Sequence, residues 1–294
     1  MPEFQNKIRQ ITKDTNKYLL QYFKKQDAKS HLIKPMKYSL FSGGKGFRSK
    51  IIFDTGKIFN VDYNLLKVLS AAVECVHSYS LIHDDLPCMD DDDIRRGKLS
   101  THKRFGESTA ILSGNSLLTL AFEILSDKKL KLKSKIKTEL IYFLAICSGH
   151  SGMAGGQYLD LYFEHKKVNK LQLMEMQNKK TGNLFSFCCS SSAIIKEKKL
   201  FMKRDLSQIG LQIGLIYQIS YDLIDVKGNS NKVGKSTKKD IKRGKATLIN
   251  LLGYSNALEF AYSLKNKIVN KIKKYGTQSR DLLESLEYII HRDV

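Results

Sequence analysis

Proline is almost missing from this chain of 294 residues, where it stands only at positions 2, 35 and 87. Proline breaks helix interiors, and apolar residues here recur almost throughout at spacings of three and four, the period of an amphipathic helix. Patterns that alternate residue by residue, as in strands, are missing from the sequence. The sequence therefore predicts an all-α fold.

The chain contains no Pro/Ser-rich linker and no internal repeat, so we expect one domain over residues 1–294. It is predicted to be a bundle of about ten or more long helices, with a tolerance of about 2 to 4 residues at each boundary. The predicted helices span residues 3–24, 31–41, 48–59, 62–85, 107–126, 132–149, 170–196, 201–227, 245–273 and 278–291.

Composition narrows the possible partners without choosing among them. The 50 Lys and Arg exceed the 29 Asp and Glu, and a net charge of +21 fits nucleic acid, anionic membrane or phosphorylated small molecules. The five cysteines form no CxxC pair, which argues against a zinc site. The N-terminus lacks an apolar h-region, and the longest purely apolar run, 140–147, is too short to span a bilayer. We expect a soluble cytoplasmic protein without integral membrane association.

One acidic stretch stands out against this basic background. In residues 77–97, HSYSLIHDDLPCMDDDDIRRG, six aspartates fall within ten positions and two arginines follow. Adjacent carboxylates repel each other unless a cation neutralises them, so this density indicates a bound metal. Magnesium is the natural candidate, because it prefers oxygen ligands and commonly bridges carboxylates to a phosphate-bearing substrate. A solvated acidic loop is the alternative, which the apolar residues within the run disfavour.

Asp84 and Asp90 need a break in the helix if they are to share one ion. On an unbroken helix, two residues six positions apart point about 120° away from each other. Pro87 disfavours helix at Leu86, so a local turn can bring Asp90 beside Asp84. His77 lies seven residues before Asp84 and therefore on the same helix face.

Other segments carry polar residues with two open interpretations each. SGGKGFR at 42–48 places paired glycines and basic residues before a helix, which suits a phosphate or a simple turn equally well. Gln157 and Asp160, one helical turn apart, fit a buried pocket or a capping arrangement. The lysines of KKTG at 179–182 and of GKST at 234–237 face either a phosphate or solvent.

A second polar face is predicted on the apolar helix that ends near residue 226. Gln218, Tyr221, Asp222 and Asp225 fall within about 100° of one another on that helix. Burial without partners costs on the order of 2 to 7 kcal/mol even for a neutral polar group. A cation or a basic ligand is therefore expected to face these residues.

These motifs together resemble one family. The acidic stretch, followed by THKRFGESTAILSGNSLLTLAFEIL, is similar to the first aspartate-rich region of the short-chain trans-prenyl diphosphate synthases, and most to that of bacterial farnesyl diphosphate synthases. SGGKGFR, GGQYLDL, KTGN, YQISYDLIDV and YIIHRDV follow the family order over essentially the whole chain. The resemblance implies the isoprenoid synthase fold, with helices around a central cavity, and a homodimer.

The resemblance also implies a reaction. Isopentenyl diphosphate is condensed with an allylic diphosphate, dimethylallyl or geranyl, by ionisation, condensation and elimination to give farnesyl diphosphate, with two or three Mg²⁺ ions. The implied metal ligands are Asp84, Asp90, Asp222 and Asp225. Isopentenyl diphosphate is implied to contact Lys45, Arg48, His77 and Arg96. The implied ligands of the allylic diphosphate are Arg95, Lys180, Thr181, Gln218 and Lys235. Catalysis is implied for Asp84, Asp85, Asp90, Arg95, Lys180, Gln218, Asp222 and Lys235.

Two positions bear on product and activity. Tyr79 stands where an aromatic residue closes the product pocket of the family at fifteen carbons. Tyr221 stands where the family has the first metal-binding aspartate of its second motif, and a hydroxyl of pKa about 10 is a poor ligand at neutral pH. Either Asp222 or Asp225 takes over the third ion, or two ions suffice, or the chain is an impaired member or a partner subunit. Geranylgeranyl and geranyl diphosphate are the alternative products.

A nucleic-acid binder is the rival from another functional class, because the net charge is +21. Such a protein would present a basic stripe with interleaved aromatic residues. The informative residues here are acidic clusters, which repel a phosphate backbone. We therefore expect no nucleic-acid partner.

Overall fold

The computed structural model describes residues 2–24, 30–226 and 246–291, with the side chains of residues 225 and 226 outside that description. Fourteen α-helices lie in these residues, which confirms the all-α prediction. They are α1 Pro2–Phe23, α2 Ile33–Leu40, α3 Phe47–Ile58, α4 Tyr63–Asp84, α5 Thr101–Phe105, α6 Glu107–Ser126, α7 Ser134–Ser148, α8 Met153–Tyr162, α9 Lys170–Gln177, α10 Asn183–Ile195, α11 Leu200–Val226, α12 Leu248–Leu252, α13 Tyr254–Ile272 and α14 Arg280–His291.

The helix predictions differ from the structure in three respects. The segment predicted as one helix over 245–273 contains α12 and α13, which Gly253 separates with a φ of 80° that helices do not contain. The short helices α5 and α8 were not predicted, since α5 has five residues and α8 contains two glycines. The segment 170–196 is helical as predicted, but a π-helical turn, Asn178–Gly182, joins α9 to α10.

A small antiparallel hairpin is also present, which the sequence pattern did not predict. Strands β1 Ile94–Arg95 and β2 Lys98–Leu99 pair Ile94 with Leu99 and Arg95 with Lys98. Arg96 and Gly97 connect them with φ values of 54° and 75°, as in a tight hairpin turn. Strands of two residues are too short to produce a periodic sequence pattern.

The described residues form two compact units. The first comprises Met1–Phe53 and Asp62–Ile141, and the second comprises Asp54–Val61 and Tyr142–Val294. Two of the three boundaries fall inside α3 and α7, and the third lies in the short connection between α3 and α4. The single domain expected over residues 1–294 stays a prediction.

Helices α4 and α6 form the core of the first unit. Asp62 caps α4 by accepting hydrogen bonds from the N–H groups of Asn64 and Leu65, at 2.9 and 3.3 Å. Small residues on both helices are fully buried, such as Ala72 of α4 and Ala121 of α6. A Cβ at Gly114 of α6 would lie 2.2 Å from His83 Nε2 of α4, so the two helices approach closely there. This packing fixes the C-terminal end of α4, where the acidic stretch begins.

The core of the second unit is α10, whose side chains from Leu184 to Ile195 are all buried. It crosses α11 at two glycines of that helix. A Cβ at Gly210 would lie 2.4 Å from the carbonyl oxygen of Phe185, and one at Gly214 would lie 2.6 Å from Gly182 Cα. These glycines let the backbone of the π-helical turn lie directly on α11.

Among the residues that the structure describes, two helices are long and apolar enough to cross a membrane by length and composition alone, namely α4 and α6. Within their most apolar windows, 67% of α4 and 44% of α6 is buried inside the protein. Core helices of soluble proteins pass the same test, so this finding is weak evidence for a membrane span.

Candidate active site

The acidic stretch folds as a turn at the end of α4. Asp84 is the last residue of the helix, and behind Pro87 the chain turns back so that the N–H of Asp90 donates to the carbonyl of Asp84 at 2.7 Å. The N–H of Asp91 donates to the carbonyl of Leu86 at 3.0 Å. Asp90 therefore lies beside Asp84, as the argument from Pro87 predicts.

Two other carboxylates of the stretch are paired with one arginine. Asp85 and Asp92 are buried, with 2% and 4% of their surface exposed. Arg95 donates from Nε to Asp85 at 2.8 Å, and from Nη2 to Asp85 and, at 3.2 Å, to Asp92. Burial acts to lower the pKa of Arg95, but the bond to Asp85 and the nearby carboxylate charges raise it overall. Asp85, expected to be catalytic, thus holds Arg95, expected on the allylic diphosphate.

The glycine-rich loop before α3 receives the second arginine of the stretch. Arg96 donates from Nη1 to the carbonyl of Gly43. A Cβ at Gly44 would lie 2.9 Å from Arg96 Cζ, and the φ of Gly44 is 151°. Glycine suits this position because of its positive φ, and the guanidinium occupies the space that a Cβ would fill. The loop therefore places Arg96 next to the segment that carries exposed Lys45.

Arg48 and His77 form a second pair in this unit. Arg48 Nη1 donates to His77 Nε2 at 3.2 Å. An arginine has no acceptor, so His77 must present a lone pair and is neutral. Burial, followed by the charges of Arg48, Arg96 and Arg95, holds the pKa of His77 well below its usual 6.5. Four predicted residues of the isopentenyl diphosphate set thus lie in the first unit.

The predicted residues of the second unit are connected in a chain of hydrogen bonds. Thr181 Oγ1 donates to Gln218 Oε1 at 3.3 Å, and Gln218 Nε2 donates to Asp222 Oδ1 at 2.9 Å. Both ends of the Gln218 amide are used, so its orientation is fixed. The structure therefore brings together residues of KKTG and of the second polar face, which the sequence presents 37 positions apart.

Lys180 lies in the same unit and is paired with Asp160, a partner that the sequence did not predict. Lys180 Nζ donates to Asp160 Oδ2 at 2.6 Å, and only 8% of the Asp160 side chain is exposed. A Cβ at Gly156 would lie 2.0 Å from the backbone N of Lys180. Helix α8 thus contacts the π-helical turn through Gly156 and offers Asp160 to its lysine. The pocket interpretation of Asp160 is closer to this arrangement than the capping one.

Tyr221 lies one turn along α11 from another tyrosine. Tyr217 donates from its hydroxyl to the hydroxyl of Tyr221 at 3.1 Å, and the two ring centroids are 4.8 Å apart. Tyr221, which stands where the family has an aspartate, is therefore part of an aromatic pair with Tyr217. The side chain of Asp225 and the whole of Lys235 lie outside the described residues.

Two partners were missed by sequence reasoning. Asp92 is buried while Asp91 and Asp93 are exposed. No sequence signal separates these three adjacent aspartates, because the direction of each depends on the hairpin that follows. Asp160 stands out in the sequence as a polar residue among apolar ones. The sequence does not reveal its partner, Lys180, which is 20 positions away.

Comparison with known proteins places this geometry in a family. The polyprenyl synthetase family model matches residues 29–288. The chain is 37% identical to the farnesyl diphosphate synthase of Haemophilus influenzae over 97% of this chain and 98% of that protein. It is 40% identical to that of Escherichia coli over 89% of each. A crystal structure of an FPP/GFPP synthase from Zymomonas mobilis superposes with a TM-score of 0.88 at 36% identity, covering 98% of this chain and 99% of that one.

The chain belongs to the polyprenyl synthetase family. The family resemblance read from the motifs is thereby confirmed, and so are the isoprenoid synthase fold and the prediction of a prenyltransferase.

Neutral His77 predicts how the stability of this polyprenyl synthetase depends on pH. The pKa of His77 is lowered in the folded state, so the unfolded chain takes up a proton that the folded chain refuses as pH falls below the usual 6.5. Between pH 7.5 and 5.5 this costs about 1.4 kcal/mol of unfolding free energy. Urea unfolding at both pH values should show that His77→Gln loses less stability than wild type by about that amount. Equal losses in the two proteins would contradict the assignment.

Proposed function

We propose that this prenyltransferase is a magnesium-dependent synthase that condenses isopentenyl diphosphate with dimethylallyl or geranyl diphosphate and yields farnesyl diphosphate. The observation that carries the proposal is the turn that places Asp90 beside Asp84 through a 2.7 Å backbone hydrogen bond. The relatives named farnesyl diphosphate synthase support the product. A geranyltransferase of Helicobacter pylori, 30% identical with a TM-score of 0.82, was crystallised with magnesium and isoprenyl diphosphate, which supports the ion.

The donor set fits magnesium. Asp84 and Asp90 offer carboxylate oxygens, which Mg²⁺ prefers, while the neighbouring Asp85 and Asp92 are already paired with Arg95. We propose Asp84 and Asp90 as ligands in the first unit, and Asp222 and Asp225 in the second. Bound magnesium acts as a Lewis acid that stabilises the charge developing on the departing diphosphate.

The first unit would bind isopentenyl diphosphate through Lys45, Arg48, His77 and Arg96. Two of these are already positioned: Arg96 lies against the glycine-rich loop, and Arg48 is oriented by neutral His77. A neutral imidazole leaves the guanidinium charge of Arg48 available for a phosphate. Oriented donors of this kind hold the double bond of the substrate in one position, which reduces the entropic cost of the reaction.

The allylic diphosphate is assigned to Arg95, Lys180, Thr181, Gln218 and Lys235. Arg95 donates from Nε and Nη2 to Asp85 and Asp92, and neither carboxylate accepts a bond from Nη1. Lys180 and Thr181 sit on the π-helical turn, a local widening that often marks functional sites. Fixed cations stabilise the leaving diphosphate without reorganising during the reaction, so the step requires no nucleophile from the protein.

Asp222 is the better supported substitute for the aspartate that Tyr221 replaces. Gln218 orients Asp222 through the 2.9 Å bond and is itself held by Thr181 of the allylic set. The hydroxyl of Tyr221 instead accepts a bond from Tyr217. We therefore propose that the chain is active, with Asp222 serving the third ion in place of Tyr221. An impaired enzyme or a partner subunit is the alternative that the assay below separates.

Product length is assigned to Tyr79. Its ring meets that of His83 edge to face, with centroids 5.2 Å apart. His83 Nε2 in turn donates to the carbonyl of Ile111 at 3.1 Å, and a Cβ at Gly114 would lie 2.2 Å from that nitrogen. The Tyr79 ring is therefore backed by a histidine that is held against α6. A rigid floor at this position favours a fifteen-carbon product over geranylgeranyl diphosphate.

We also propose that the enzyme acts as a homodimer in the cytoplasm and that residues 1–294 work as one domain. The family model spans 29–288 without a break, which supports the single domain. Ile111 and Leu112 on α6 are 41% and 55% exposed, and apolar side chains of this kind support an interface between copies.

The direct assay supplies dimethylallyl and isopentenyl diphosphates with Mg²⁺ and identifies products by mass. Wild type is expected to form the fifteen-carbon diphosphate. Tyr221→Asp should raise turnover at low Mg²⁺ because it restores a carboxylate, while Tyr221→Phe should not. An inactive wild type with activity recovered in Tyr221→Asp would show an impaired family member instead.

The assignment of Tyr79 predicts a change of product rather than of rate. Tyr79→Ala removes the ring and should lengthen the product beyond fifteen carbons, whereas Tyr79→Phe keeps the ring and should leave its length unchanged. Chromatography of the dephosphorylated products measures both. If Tyr79→Ala still stops at fifteen carbons, the floor of the product pocket is not Tyr79.

A further inference from the structure

Three ligating side chains converge beside the acidic turn but are not assigned to the reaction. Within the described part of the chain, Asp91, Asp93 and His102 form a group whose ligand atoms all lie within 4.8 Å of one another. We propose that this group binds a divalent transition ion, distinct from the magnesium assigned to Asp84 and Asp90.

The local fold explains why these three side chains meet. Asp91 and Asp93 are exposed while Asp92 between them is buried against Arg95, so the two outer carboxylates lie on the solvent side of this segment. The β1–β2 hairpin then returns the chain, and the N–H of Ser100 donates to the carbonyl of Asp93 at 2.8 Å. His102 follows two residues later.

His102 is the observation that points to a ligand. Only 5% of its surface is exposed, yet its Nε2 is a buried nitrogen with no hydrogen-bond partner. Its Nδ1 lies 3.1 Å from Ser100 Oγ. When Nδ1–H donates to that hydroxyl, Nε2 presents its lone pair, and such a second hydrogen bond commonly orients a metal-binding histidine. A buried imidazole nitrogen without a partner is costly unless something binds it.

The donor set selects the class of ion. One imidazole nitrogen with two carboxylate oxygens suits zinc, manganese or cobalt, whereas magnesium favours oxygen alone. The three protein ligands, two of which are exposed carboxylates, leave coordination positions for water. An exposed lysine competes for the site, because Lys103 Nζ lies 3.0 Å from Asp93 Oδ1 with 44% of its side chain exposed. It can turn into solvent when an ion binds.

Cobalt titration followed by visible absorption tests this site. The full-length protein carries Asp84→Asn and Asp90→Asn, so that the proposed magnesium ligands do not contribute. One Co²⁺ with a d–d band is expected, and His102→Gln should abolish the band. Asp93→Asn should weaken binding about tenfold or more, since it removes a ligand. Lys103→Gln should strengthen binding about two- to fivefold, the range that an exposed ion pair allows.

Glu107→Gln is the matched control, because Glu107 contributes to the same local charge without being in the group. It should change the affinity for Co²⁺ less than Asp93→Asn does. The absence of a band, or equal affinity in Asp93→Asn and the background protein, would overturn the proposal. If circular dichroism shows that His102→Gln does not fold, the comparison of Asp93→Asn with the background protein decides the question. Neither outcome depends on prenyl transfer, so failure here leaves the proposed function standing.

Discussion

The acidic turn depends on the guanidinium of Arg95. Six aspartates within ten positions would repel one another, and three of them, Asp85, Asp90 and Asp92, are buried. Arg95 pairs with two of the buried ones, Asp85 and Asp92, through three hydrogen bonds from Nε and Nη2. This pairing lowers the repulsion inside the turn, in which Asp90 lies beside Asp84. An arginine that we propose as a ligand of the allylic diphosphate thus also has a structural role in the free protein.

The second unit solves a different problem, which is how to hold a lysine and a threonine rigidly on one helical turn. Glycines on two neighbouring helices remove the side chains that would separate the backbones, at Gly156 of α8 and Gly214 of α11. The close approach puts Asp160 within reach of Lys180 and Gln218 within reach of Thr181. Positioning therefore comes from backbone packing, and the polar contacts follow from it.

Sequence reasoning predicted the helices well and the pairings poorly. The 3.6-residue period gives α1, α4 and α6 nearly to the residue, because each buries one face or more over many turns. It gives nothing for β1 and β2, which are too short to repeat a pattern. Pro87 predicted the turn between Asp84 and Asp90 because its effect is local. The contacts of Arg95 with Asp85 and of Lys180 with Asp160 depend on how the chain returns, which no local pattern encodes.

The most direct test compares two adjacent isosteric substitutions, Asp84→Asn and Asp85→Asn. We expect one variant to lose stability and the other to lose turnover. Asp85→Asn should lower the free energy of unfolding by about 3 kcal/mol, since it removes one partner of a buried ion pair. Asp84→Asn should lower that free energy less than Asp85→Asn does, yet reduce magnesium-dependent turnover at least about a hundredfold. If both variants lose stability alike, or if Asp84→Asn keeps its turnover, the division of the aspartates between Arg95 and magnesium is wrong.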